Sequence, residues 1–537
     1  MAIITVNGQE IEIGDQERLN GIEVARRLGF DVPHYCWHPG LSVVASCRMC
    51  LVETGTRNAE TGEISIVPKL VPACQTPARD GTVFVTNSEK VQQARAMVEE
   101  DLLIDHPVDC PICDKAGECY LQDYHFKYGQ KQRRADIRPF TSRRRPMGDT
   151  VTLFVDRCVM CSRCVRFTRE ISGTSELMVV NRGSHEEIDV FPGFPLDNKM
   201  SGNVVDICPV GALGDRQFLY SQRVWYMKSH DNVCTGCSTG CSIHVDENHD
   251  QVFRLRPREN QHINKWWMCD EGRYGIKHVH DERRLVEARR REGEELVPIE
   301  WSEVATQLQE RLAAAGRPAV VLSPHLTCEE AYLLAKLARQ IDEQAMIALG
   351  AVPVVGEDER FKSGFTIRAE KCPNRRGVEE IVAYFMRGAC GWDDVLKAAA
   401  AGEIGSAWIT GGYKEPWQDQ AAAETLRGLD LLIVQDVFPS SLSEVAHYVL
   451  PAAAFPEREG SYVNHADRLQ SVRWAIRPPA GVKVEGRLYW DMLQQGGMYN
   501  ARSVLTEIAG QIAYFAAAAD PIPPTGMDLR IPLLAIS

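Results

Sequence analysis

Eighteen cysteines constrain this chain more than any other feature, and most lie in short Cys-x2-Cys groups before residue 270. Beyond that point only Cys328, Cys372 and Cys390 remain, each isolated. In an exported protein such a count would suggest disulfides. Here the N-terminus, from Met1 to Glu10, moves straight into strand-like alternation with no basic n-region, apolar h-region or Arg/Ser-rich presequence. The expectation is a cytoplasmic protein, and a reducing cytosol disfavours disulfides. Clustered thiols then point to metal or cluster ligation in the N-terminal half.

Thiolate is soft and anionic and suits iron in a sulfide cluster, which takes four protein ligands. The cysteines partition accordingly. The first set is Cys36, Cys47, Cys50 and Cys74, spaced C-x10-C-x2-C-x23-C. A long loop, a tight pair and a distant fourth Cys are similar to a ferredoxin [2Fe–2S] site with a longer first gap than the plant type. A zinc ribbon would instead pair two short knuckles. The second set, Cys110, Cys113 and Cys119, has three thiols, so a fourth ligand must come from elsewhere, and His106 is the nearest candidate. A neutral imidazole in place of a thiolate removes one negative charge and tends to raise the cluster potential. The third set is Cys158, Cys161 and Cys164 with Cys208-Pro209, the bacterial ferredoxin [4Fe–4S] pattern and the most specific signal in the sequence. The fourth is Cys234, Cys237, Cys241 and Cys269, C-x2-C-x3-C-x27-C, with glycines that let backbone N–H groups approach sulfur. Zinc is the competing occupant there. Together the sets use fifteen of the eighteen cysteines and one histidine.

At 537 residues the chain has room for roughly three to four domains. A net charge of -13 argues against a general nucleic-acid binder. No apolar run approaches the ~18–20 residues of a spanning helix. Near the start, Ile3–Val6 and Glu10–Ile13 flank Asn7-Gly8, a hairpin signal, and Val83–Val85 supplies a later strand. Thr86-x-x-Glu89 has the form of a capping box, followed by Val91, Ala94, Val98 and Leu102 at helical spacing. That helix would deliver the chain to His106. A basic run holds Arg133, Arg134, Arg138 and Arg143 to Arg145, a solvated loop on the plainer reading and a docking surface on the other. Beyond about residue 290 strands and helices alternate. Ala319–Ser323, Ala407–Thr410 and Leu431–Val434 read as buried strands of a parallel α/β sheet, and Thr327-x-x-Glu330 caps a helix over 331–339.

These motifs, taken in order, make the chain resemble the large iron–sulfur subunit of respiratory complex I, the NADH-quinone oxidoreductases. The resemblance is close over residues 1 to about 285. It weakens to that of a molybdopterin oxidoreductase domain beyond, best at Gln435–Phe438, Ala446–Pro451 and Glu459–Asn464. It implies a multidomain α+β and α/β protein: a β-grasp [2Fe–2S] ferredoxin-like domain (1–85), a [4Fe–4S] domain with one His and three Cys ligands (86–125), and a [4Fe–4S] ferredoxin-like domain (126–222). A molybdopterin-enzyme-type [4Fe–4S] domain (223–285), a shortened molybdopterin-oxidoreductase-like domain (286–500) and a C-terminal tail (501–537) would follow. The implied cofactors are one [2Fe–2S] and three [4Fe–4S] clusters on the sixteen residues named. No molybdopterin is expected, because that half is short and offers no convincing molybdenum-ligand Cys. Cys328, Cys372 and Cys390 read as buried small hydrophobes.

By the same resemblance, electrons come from a flavin- and NADH-binding neighbour, pass through this subunit in the peripheral arm, and leave toward quinone. Ion pumping lies in a membrane arm reached indirectly, and the complex sits at the cytoplasmic face of the inner (plasma) membrane. No acid, base or nucleophile of this chain need act. With neither G-x-G-x-x-G nor G-x-x-x-x-G-K-[ST] in the sequence, NADH and flavin are expected to bind elsewhere. Two alternatives stay open: the cluster subunit of a soluble NAD-linked hydrogenase or formate dehydrogenase, and a zinc-stapled scaffold with no redox role.

Overall fold

A computed structural model describes residues 1–530 apart from 133, 140–142, 184 and 418. The chain divides into two compact units, Met1–Met227 with Phe361–Gly364, and Lys228–Arg360 with Phe365–Ser537. Of the basic run, Arg133 lies outside the described residues, as does the end of the C-terminal tail, 531–537.

The first unit opens on the expected hairpin. Strands Ala2–Val6 and Gln9–Ile13 pair antiparallel, with Asn7 and Gly8 at φ 49° and 85°, the two left-handed residues a tight primed turn needs. Ala2–Val6 then pairs in parallel with Thr82–Val85, which pairs antiparallel with Leu51–Arg57. Helix Gly21–Arg27 lies on this sheet, capped by Asn20 and Glu23 in a reciprocal box. A Cβ on Gly21 would stand 2.9 Å from the Phe84 ring, so only glycine lets helix and sheet approach this closely. Ile4, Val6, Ile22, Val24 and Phe84 form the core between them.

Helix Glu89–Asp105 forms as expected and ends at His106 as its C-cap residue, but its N-cap is Ser88, not Thr86. Thr86 directly follows strand Thr82–Val85, where it exchanges two 2.8 Å hydrogen bonds with the Asn7 amide of the hairpin turn. That tertiary partner outcompetes the local cap, and the helix starts later. Residues 106–119 contain no helix or strand, and helix Tyr120–Tyr128 follows. Strands Arg144–Pro146, Val151–Phe154 and Leu213–Asp215 make a small sheet that brackets the segments carrying Cys158–Cys164 and Cys208.

The second unit begins with an antiparallel sheet, Lys228–Val233, Ser242–Asn248 and Gln251–Pro257. Its main body is a seven-stranded sheet in the order Glu295–Pro298, Arg289–Glu292, Tyr448–Pro451, Leu431–Asp436, Ser406–Thr410, Pro318–Leu322, Met346–Leu349. The last five are parallel, and the first two form an antiparallel edge. Pro318–Leu322, Ser406–Thr410 and Leu431–Asp436 are buried throughout, which is why they read as continuous apolar runs. Helix Cys328–Ile341 carries the expected Thr327–Glu330 capping box. The parallel strands follow the doubly wound order 2-1-3-4-5, whose direction reverses between Pro318–Leu322 and Ser406–Thr410. Among the described residues no helix is long and apolar enough to cross a membrane.

Candidate cluster sites

In the first set Cys36, Cys50 and Cys74 are buried and Cys47 is half-buried. Their thiols touch in a chain, Cys47 to Cys36, Cys36 to Cys74, Cys74 to Cys50. Contacts from Cys47 and Cys74, helped by the backbone N–H groups of Cys47 and Ser46, hold the Cys36 thiol far below its usual pKa. Cys47 and Cys74 are driven far above theirs by the same sulfur contacts, with burial adding to both. Four touching sulfurs, three of them on buried residues, cannot all ionise without compensating positive charge, which iron would supply. The loop that presents them holds Ala45 and Arg48 at φ 53° and 59°. Left-handed non-glycine residues cost about 1–2 kcal/mol each and persist where the fold over-determines them, often at functional sites.

His106, Cys110, Cys113 and Cys119 line one cavity together with Asp109, Gln122, Arg157 and Gly211. His106 and Cys119 are half-buried, Cys113 is buried and Cys110 is exposed. A Cβ on Gly211 would stand 2.1 Å from Cys113 Sγ, so this glycine makes room for the sulfur. Burial, then the charge of Arg157, lowers the His106 pKa to about 4, so the imidazole is neutral at pH 7, the form that ligates metal. Arg157 is itself buried and ion-paired to Asp109 at 3.0 Å. The Cys119 thiol is raised to about 11 by burial.

Cys158, Cys161, Cys164 and Cys208 line a second cavity whose other walls include Leu153, Val159, Ile188, Val210 and Leu213. Met160 and Ser162, between the three close cysteines, sit at φ 46° and 55° and turn the loop around the cavity. Burial and the neighbouring sulfurs raise the Cys158 and Cys164 thiols, and Cys161 is raised to about 11. In the fourth set all four cysteines are buried. Gly236 N donates to Cys234 Sγ at 3.4 Å and Gly272 N to Cys269 Sγ at 3.3 Å. A Cβ on Gly272 would stand 2.9 Å from Cys234 Sγ, again a space kept open by glycine. Burial raises the thiols of Cys234, Cys241 and Cys269.

Among the described residues no three His, Cys, Asp or Glu side chains converge as a single metal ion requires. A cluster needs something else, because each thiolate binds a different iron or shares one with a single partner, so the donors surround a space. The second and third sets do so. Soft donors, glycine-cleared space and N–H groups aimed at sulfur fit iron–sulfur clusters.

Several charged side chains around these sites are invisible to motif spacing. Arg163 and Arg166 are buried on helix Arg163–Phe167 between third-set cysteines. Lys414 Nζ stands 2.8 Å from where a Cβ on Gly275 would be and 3.4 Å from one on Gly236, beside Cys234. Cys372 is buried close to Cys237, while Cys328 contacts Asn374 at 3.5 Å and Cys390 joins the main core. Of the basic run, Arg134 pairs with Glu100, Arg143 with Asp156 and Glu187, and Arg145 with Glu187 and Asp189.

At the reversal point of the seven-stranded sheet, where doubly wound folds bind ligands, the buried side chains of His325, Tyr413 and Asp436 lie at or just beyond the carboxyl ends of the strands. The His325 and Tyr413 rings meet edge to face at 5.1 Å, and Tyr413 Oη donates to Ala351 O at 2.7 Å. The Asp436 carboxylate occupies the space a Cβ on Gly411 would need and accepts from Gly412 N and Val437 N, both at 2.7 Å. Burial raises its pKa to about 6.

Five family models match in order along the chain: 2Fe-2S iron-sulfur cluster binding domain (1–89), NADH-ubiquinone oxidoreductase-G iron-sulfur binding region (95–134), NADH-quinone oxidoreductase subunit 3, ferredoxin-like domain (148–214), molybdopterin oxidoreductase Fe4S4 domain (227–281) and molybdopterin oxidoreductase (392–495). Ferredoxin-like 2Fe-2S, 4Fe-4S and molybdopterin-oxidoreductase domains are therefore present in one mixed α and β chain. Similar proteins include the NADH-quinone oxidoreductase G subunit of Rickettsia felis, 32% identical over 64% of this chain and 49% of that protein. The corresponding G subunit of Streptomyces coelicolor is 34% identical over 63% of this chain and 39% of its own length. The mitochondrial NADH-ubiquinone oxidoreductase 78 kDa subunit of Neurospora crassa is 35% identical over 57% of this chain and 40% of its own. The chain spans about half the length, or less, of these curated relatives. A crystal structure of NAD+-reducing [NiFe]-hydrogenase matches at 26% identity and a TM-score of 0.35, over 42% of this chain and 91% of that one.

Proposed function

We propose, from this kinship with the G subunits of NADH-quinone oxidoreductases, that the chain is an electron-transfer subunit of the complex's peripheral arm. In this reading it holds one [2Fe–2S] cluster on Cys36, Cys47, Cys50 and Cys74, and three [4Fe–4S] clusters. Those lie on His106, Cys110, Cys113 and Cys119; on Cys158, Cys161, Cys164 and Cys208; and on Cys234, Cys237, Cys241 and Cys269. When bound, such clusters accept and release single electrons, which is the chemistry the complex draws from this chain. The partners are a flavin- and NADH-binding subunit and other peripheral-arm subunits, with the membrane arm reached indirectly at the cytoplasmic face of the inner membrane.

The protein's own residues hold, shield and tune. The thiols give up protons as they ligate, and His106, already neutral, gives up none. Burial of the fourth set and of most of the first and third keeps water from those sulfurs, and N–H donors such as Gly236 and Gly272 stabilise charge on them. The observation that supports the reading best is the cavity of the second set, which His106 lines together with the three thiols of a motif one donor short.

The molybdopterin-like half serves as scaffold and takes no molybdopterin. The shortness of this half and the lack of a convincing molybdenum-ligand Cys support this. Electron paramagnetic resonance and iron analysis of the anaerobically purified chain test the assignment. About fourteen irons in one [2Fe–2S] and three [4Fe–4S] species are expected. Stoichiometric zinc in their place would end the electron-transfer reading.

A further inference from the structure

Two buried arginines tie the first ligand set to the third. Arg166 Nη2 donates to the carbonyl oxygens of both Cys36 and Cys161, the latter at 3.1 Å, while its Nη1 donates to Ser42 O. Arg163, one turn away on the same helix, donates to Trp37 O and, at 3.1 Å, to Ile207 O, the residue before Cys208. Glu170 completes the clasp by accepting from Ser42 N at 2.8 Å and from its hydroxyl. The loop of the first set is thus held onto the helix of the third by the guanidinium groups of two arginines that are 4% and 5% exposed as residues.

A planar guanidinium is the side chain best suited to bridge two carbonyls while carrying a fixed charge. Buried charge is costly unless something nearby compensates it. Here the guanidinium is bonded to the backbone carbonyls of two of the proposed ligands, Cys36 and Cys161, while the Glu170 carboxylate sits on the Ser42 end of the same loop. A cation placed so favours the more negative, reduced state of whatever those thiolates hold, and screening is weak because the site is buried.

We propose that Arg166 is a shared tuning residue, one charge that raises the reduction potentials of the first and third clusters together while fixing their loops in register. This rests on the ligand assignment proposed above. A residue that merely stapled the backbone would leave both potentials in place as long as the clusters assembled.

Redox titration of the full-length, anaerobically purified chain, read by electron paramagnetic resonance, tests it with three variants. Arg166→Gln keeps donors and removes charge. It should lower the midpoints of the first and third clusters together, each by about tenfold in the one-electron equilibrium, about 59 mV, leaving the second and fourth in place. Arg166→Lys keeps the charge and should return both midpoints at least halfway. Glu170→Gln keeps an acceptor for Ser42 and removes the opposing charge, so both midpoints should rise. Should Arg166→Gln fail to assemble either cluster, the sign of the Glu170→Gln shift decides. Unmoved midpoints, a shift in one cluster alone, or equal shifts in the Gln and Lys variants would overturn the proposal. A wild-type chain lacking the first or third signal would instead overturn the ligand assignment itself, and this proposal with it.

Discussion

His106 is the proposed ligand on which the second site turns, and the residue scale is where that proposal can be broken. It sits neutral beside Arg157 in the cavity with Cys110, Cys113 and Cys119. His106→Cys should keep the cluster and lower its potential, since a thiolate adds one negative charge. His106→Ala should lose about four irons per chain, and an unchanged spectrum and iron content would remove His106 from the ligand set. Lys414 makes the complementary case in the fourth site. Its ammonium borders Gly236, Gly275 and Cys234, with His278 and His325 nearby held neutral by burial, at about pKa 3. The nearby Glu271 carboxylate is engaged by Lys371 at 2.7 Å. Lys414→Met should lower the fourth midpoint by about 59 mV, with Lys414→Arg near wild type. No shift in a redox titration would leave Lys414 a space-filler. The two residues also mark what sequence can carry. Ligands show because a cluster demands fixed local spacing, as at Cys158 to Cys164. Arg163 and Arg166 bond to carbonyls 126 and 130 positions away, and Lys414 lies beside Gly236 from the far half of the chain, so no spacing rule announces them.

Among the elements, helix Glu89–Asp105 has the most testable interior. It carries Arg95 and Glu99 to the buried side, where Arg95 lies over the Tyr128 ring at 5.1 Å and Glu99 accepts from the Tyr35 hydroxyl. Glu99 Oε2 has no hydrogen-bond partner among the described residues. Burial raises the Glu99 pKa from 4.5 to about 7 against the opposing Tyr35 bond. Between those values the folded chain holds a proton that the unfolded chain releases, so stability falls as pH rises through the window and stays reduced above pH 7. Glu99→Gln removes the titration. Relative to wild type it should gain up to about 3 kcal/mol between pH 5 and pH 8 in urea unfolding, and a pH-independent difference would show that Glu99 ionises freely. At this scale the sequence was legible where local signals had no rival. The Asn7-Gly8 hairpin, the Thr327–Glu330 box and the buried parallel strands all formed. It misled at Thr86, whose hydrogen bonds to Asn7 lie 79 residues away. It was silent on strand Arg289–Glu292, because Arg-Arg-Arg-Glu has no strand-like alternation, and the strand is held between Tyr448–Pro451 on one side and its hairpin mate Glu295–Pro298 on the other.

For the molecule as a whole, the two units differ in what holds them. In the second, one core runs from Ala288 to Leu529 through the parallel strands and the helices over them, and none of the sixteen proposed ligands belongs to it. In the first, residues 106–119 have no helix or strand, and Cys110, Pro111 and Ile112 are exposed. Such a segment buries little apolar surface to offset the entropy of ordering it, and on the proposed assignment its ligands supply the difference. Stripping iron by anaerobic chelation should therefore act unevenly. Hydrogen exchange of the apo-chain should show amides of 106–119 and of the Cys158–Cys164 loop falling to the protection of a fraying loop, while Ser406–Thr410 and Leu431–Asp436 keep that of a core sheet. The fourth set should respond in between, since its strands Lys228–Val233 and Ser242–Asn248 pair along their full length without help from metal. Equal loss of protection in the parallel sheet would mean that the clusters hold the second unit's core as well. Unchanged protection in 106–119 would mean that polypeptide contacts alone order the segment, and His106 would then owe its place beside the three cysteines to folding and not to iron.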